Sequence, residues 1–121
     1  MLSFVNPALA LVSIALGLIG WIWPTYVMET LKLSVQDGTN MGYSEIRAAS
    51  GALFVGLGVG ALVINTPTAY IMMGIAWGFA ALGRATSLAL DGQSELKWIF
   101  FMIEIVVALV LIALNARSVA S

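Results

Sequence analysis

Ser44-Glu45-Ile46-Arg47-Ala48-Ala49-Ser50-Gly51-Ala52-Leu53-Phe54-Val55-Gly56-Leu57-Gly58-Val59-Gly60 is the stretch whose reading decides the fold. It begins with charge and continues as uncharged, mostly apolar sequence. Ala48, Ala52, Gly56 and Gly60 recur at every fourth position, which on an α-helix gathers small residues on one face. In lipid such a face admits a second helix at close range, because acyl chains give apolar side chains no reason to prefer one another. The stretch reads as a helix packed among other helices, with Glu45 and Arg47 at its mouth.

The composition sets the environment. The chain has 121 residues, of which 61% are hydrophobic and 9% charged, with mean hydropathy +1.03. Soluble domains average roughly 25% charged residues, so this chain lacks the polar groups to cover a water-facing surface. Its length suits one integral membrane domain spanning 1–121. The net charge of -1 provides no basic footprint for nucleic acid. Cysteine and histidine are both missing, which removes disulfides, thiolate or imidazole metal sites, cysteine nucleophiles and the commonest general base. No metal, cofactor or catalytic residue is expected.

Four apolar runs follow one another, at about 7–23, 44–64, 67–90 and 95–115. Each is close to the ~20 residues that a bilayer core requires at about 1.5 Å per residue. The first contains no Lys or Arg and ends in Trp21-Ile22-Trp23-Pro24. A signal peptide would want a positive start and a small-residue cleavage site. The run therefore reads as a retained span whose tryptophans sit in the interface. Residues 24–43 form the long connection, with a short surface helix expected over 26–33 and turns at Asp37-Gly38 and 40–42. Ser44 is the expected cap of the second helix, and Pro67 the opening of the third. Gly74 and Gly78 repeat the four-residue small spacing and are expected to pack helices. The fold expected is an all-α transmembrane four-helix bundle of up-down topology, with both termini on one side.

Charge distribution points to a site. Glu29, Lys32, Asp37, Glu45, Arg47, Arg84, Asp91, Glu95, Lys97 and Glu104 all belong to the side of the first and third connections. The positive-inside tendency places 24–43 and 91–95 in the cytoplasm. Arg84 precedes Asp91 by seven residues, roughly 10 Å along a helix. Glu104 lies about 13 Å into the last run. A lone charge at such depth costs at least about 2.5–3.5 kcal/mol. Glu104 is therefore expected to face inward and to pair with Arg84, with Arg47 the other cation within reach. Glu45, Arg47, Arg84, Asp91 and Glu104 together read as one polar cluster, either a ligand site or a structural lock. Trp77 and Phe101 share the faces of Arg84 and Glu104 and are candidates for lining a ligand.

The segment 44–51 followed by a glycine-rich helix, together with Leu82-Gly83-Arg84-Ala85-Thr86-Ser87-Leu88-Ala89-Leu90-Asp91-Gly92, resembles a family of small four-helix bacterial inner-membrane proteins of unknown function, DoxX-like in pattern. Glu45, Arg47, Gly51, Arg84, Asp91, Gly92 and Glu104 carry the resemblance. It implies a bacterial inner membrane and, by analogy with DoxX-like subunits of redox enzymes, an accessory role. Two functions compete. One is a non-catalytic subunit packing against itself or a larger membrane complex. The other is a binder, transporter or isomerase of a lipid or small amphiphile through the Arg/Glu cluster. Catalysis by Glu104 with Arg84 ranks below both, because no nucleophile, metal set or phosphate loop accompanies them.

Overall fold

The structure, a computed structural model, describes residues 4–120. Residues 1–3 and 121 of the expected 1–121 domain lie outside them. Six α-helices run in order: α1 (Val5–Ile22), α2 (Pro24–Leu31), α3 (Met41–Glu45), α4 (Leu53–Ile64), α5 (Pro67–Leu90) and α6 (Glu95–Ala120). A π-helical segment, Ile46–Ala52, joins α3 to α4 without a break. Among the described residues there is no strand. Four continuous helices, Val5–Ile22, Met41–Ile64, Pro67–Leu90 and Glu95–Ser118, are long and apolar enough to cross a membrane. The chain is an all-α integral membrane protein.

The boundaries differ from expectation in instructive places. The second span begins at Met41, so Ser44 lies inside it and does not cap it. The Thr39 hydroxyl instead accepts from Met41 N at 3.1 Å. The last helix continues past residue 115, since the polar residues after Asn115 do not break a helix. Pro24 ends α1 and opens α2 as its first residue; it has no N–H to donate, and the first turn of a helix requires none. Lys32 at φ 60° closes α2 in the left-handed region, and Leu33 N returns to Met28 O at 2.8 Å. Thr66 caps α5, its hydroxyl accepting from Ala69 N at 3.2 Å.

The helices form two compact units, residues 4–63 and 64–120. In the first, α1 runs antiparallel to the second span. Ala10 lies against Gly58, Gly17 against Gly51 and Val55, and Gly20 against Ser50 and Gly51. A Cβ on Gly51 would lie 2.5 Å from Trp21 N, and one on Gly17 would lie 2.6 Å from Gly51 O. Backbone meets backbone here, so only glycine fits. The Ser13 hydroxyl adds an interhelical bond to Phe54 O at 2.9 Å, a polar tie of the kind that replaces the hydrophobic effect in lipid.

The face of the second span that does this packing carries Gly51, Gly58 and Ala61, all buried. Ala48 and Gly56 on the four-residue stripe are exposed, while Ala52 and Gly60 are half-buried. A Cβ on Gly56 or Gly60 would meet nothing within 4 Å. The difference is one of helix face: Gly51 and Gly58 are seven residues apart and share a face, whereas Gly56 and Gly60 are each two residues from Gly58 and lie on the far side from it.

In the second unit, α5 and α6 run antiparallel. Gly74 rests on Leu111, Ile112 and Ala108, and Gly78 on Ala108. Met73, Trp77, Ala81, Val107, Ala108 and Leu111 are buried.

Candidate functional site

The antiparallel register of α5 and α6 determines which side chains meet. Gly74 lies opposite Leu111, and Gly78 opposite Ala108. Continuing along both helices brings Arg84 opposite Glu104. Arg84 Nε donates to Glu104 Oε1 at 3.1 Å, and Nη2 to Oε2 at 2.9 Å. The guanidinium fork thus meets both carboxylate oxygens, the geometry in which an Arg–carboxylate pair is strongest. Phe100, one turn before Glu104 on the same face, lies under the guanidinium, with Cζ 5.2 Å from the ring centroid. That distance lies within the roughly 6 Å over which a cation is held by an aromatic face.

The surroundings are asymmetric. The Glu104 side chain is 11% exposed and that of Arg84 32%. Both sit inside spans, where an unpaired charge is expensive. Meeting in a bidentate pair, they cancel formally and satisfy each other's strongest hydrogen-bonding groups.

The remaining polar residues are placed otherwise. Arg47 lies in the π segment, and its Nη1 donates to Trp21 O at 2.7 Å. Trp21 is the penultimate residue of α1, and the negative end of a helix dipole favours a cation there. Glu45 is the exposed last residue of α3. Asp91 is the exposed C-cap of α5, with its backbone N bonded to Ser87 O at 2.8 Å. Of the five residues read as one cluster, the structure brings Arg84 and Glu104 together. Trp77 is buried at 4% exposure. Phe101 stands edge-on to Trp98, with ring centroids 5.8 Å apart at 88°. Lys97, on the stripe of Phe101 and Glu104, turns back so that Nζ donates to Gly92 O at 2.7 Å, tying α6 to the turn before it.

Two features escaped the sequence reading. The first is the α1 face Ala10, Ser13, Gly17 and Gly20, buried throughout. Its spacing of three, four and three residues is the small-residue signal in plain form, masked by the more conspicuous glycines of the second span. The second is Asn115, a buried polar residue whose Nδ2 donates to Leu111 O at 2.7 Å. Returning to a carbonyl one turn earlier lets an amide sit inside a membrane helix. Among the described residues, no group of three or more carboxylates could hold a metal ion.

Four apolar helices and a bidentate ion pair sunk within two of them define a polytopic integral membrane protein. Residues 2–115 match the family described as domain of unknown function DUF4345, and the chain belongs to that family. No curated protein and no solved structure matches it.

Proposed function

We propose that this protein is a non-catalytic accessory or oligomeric subunit of a membrane complex. It acts by presenting helix faces to copies of itself or to larger partners. The observation that carries this reading is the bidentate Arg84–Glu104 contact. Each charge is neutralised by the other, so the pair serves as a lock between α5 and α6. The open stripe at Gly56 and Gly60 agrees with this role, since small residues let a further helix come close. The membrane we assign is a bacterial inner membrane, with 24–43 and 91–95 on the cytoplasmic side. The DoxX-like pattern supports the same assignment by analogy.

The second reading is a binder, transporter or isomerase of a lipid or small amphiphile. One observation favours it: Arg84 keeps a third of its side chain exposed beside Phe100. Mass measurement of the protein extracted in mild detergent separates the two. The subunit reading expects a multimer or a stoichiometric co-purifying protein. A strictly monomeric particle without a partner overturns it.

A further inference from the structure

The end of α1 carries a patch that the Arg84–Glu104 lock does not explain. Trp21, Trp23 and Tyr26 are 45%, 65% and 60% exposed around the break between α1 and α2. Ile19, Trp23 and Tyr26 line an open, apolar groove of about 450 Å³. Indole and phenol rings gather at the margin of a bilayer because each has an apolar body and a polar tip. The groove thus lies where acyl chains meet headgroups.

The same helix end receives a cation from the π segment. Arg47 Nη1 donates to Trp21 O, and Trp21 lies between Ile19 and Trp23 in the chain. That bond employs one of the five N–H donors of a guanidinium. Arg47 is exposed, and among the described residues no carboxylate forms an ion pair with it. Glu45, two residues earlier, is also exposed, and side chains two apart on a helix do not face each other. The dipole and carbonyl of α1 therefore hold a positive charge in place, and among the described residues no carboxylate neutralises it.

A fixed guanidinium on the same helix end as an apolar groove, at interfacial depth, is complementary to a molecule with an anionic head and an acyl tail. We propose that the end of α1 binds an anionic phospholipid, with its phosphate on Arg47 and one acyl chain in the groove of Ile19, Trp23 and Tyr26. The site is distinct from the Arg84–Glu104 lock and does not depend on the subunit reading.

The test is native mass spectrometry of the full chain in detergent, supplied with equal amounts of phosphatidylglycerol and phosphatidylcholine. The expected result is a preference of about fivefold for phosphatidylglycerol, the factor equivalent to one basic side chain near an anionic surface. Arg47→Gln removes the preference. Trp23→Ala lowers retention of both lipids and leaves the preference in place. Excess inorganic phosphate does not displace the bound lipid, because the groove holds the chain. Equal retention of the two lipids by the unaltered protein overturns the site, as does a preference that survives Arg47→Gln. Unchanged retention in Trp23→Ala, or stripping by phosphate, also overturns it. If Arg47→Gln fails to fold, the unaltered protein and Trp23→Ala decide the matter alone.

Discussion

The two halves of the chain solve one problem by opposite means. Helices in lipid gain little from apolar contact alone, so each pair needs another source of attraction. Residues 4–63 use closeness: Gly17, Gly20, Gly51 and Gly58 bring backbones together, and Ser13 bonds across to Phe54 O. Residues 64–120 use charge. Gly74 and Gly78 sit on side chains of α6, with nearest atoms at 3.0 Å and 3.5 Å, and the bidentate Arg84–Glu104 pair supplies the specific tie. The first arrangement tolerates no added atom but contains no buried charge. The second is less close but depends on both members of its pair.

That contrast can be broken from either side. The largest effect is expected for Gly51→Leu. Its Cβ would meet Trp21 N, Trp21 Cα and Gly20 C within 2.9 Å, and backbone cannot swing aside. The loss should exceed the roughly 1–3 kcal/mol of ordinary overpacking. Thermal unfolding in detergent followed by circular dichroism would reveal it, and a variant as stable as the parent would show that the helices do not touch there.

Next comes Glu104→Gln, which leaves the Arg84 charge without its counter-ion. Breaking a fully buried pair costs about 3–5 kcal/mol; with Arg84 one-third exposed we expect about 2–3 kcal/mol. Replacing both residues, as Arg84→Met with Glu104→Leu, should recover most of that loss, since no charge then remains stranded. If the double variant were as unstable as the single one, the contact would be more than a charge-balanced lock.

The smallest effect sharpens the comparison within the second span itself. Gly56→Ala fills space left open within one chain and should stabilise the isolated chain by about 0.5–1 kcal/mol through the lower entropy cost of alanine in a helix. A destabilisation of similar size would mean that the stripe is already in contact within one chain.

The central pair of the candidate site is legible in the sequence. Arg84 and Glu104 each lie deep in an apolar run, and an unpaired charge there is costly. Pro67 marks the start of α5 in the sequence, because a fixed φ and a missing N–H suit the first turn of a helix. The wider cluster was not legible. Depth along a helix says how far a charge is from water but not which way it points. Arg47 shares its level with the end of α1, and a backbone carbonyl there accepts its hydrogen bond.

What the amino-acid order determined alone was the solvent and the count of spans. Both depend on composition summed over about 20 residues, and no neighbour can alter that sum. What tertiary structure decided was the face each helix turns inward. The small residues of the second span offer two stripes, and packing with α1 takes Gly51 and Gly58, seven residues apart on one face, while Gly56 and Gly60 stay open. Both stripes are small and apolar, so hydropathy does not distinguish them, and the partner helix does.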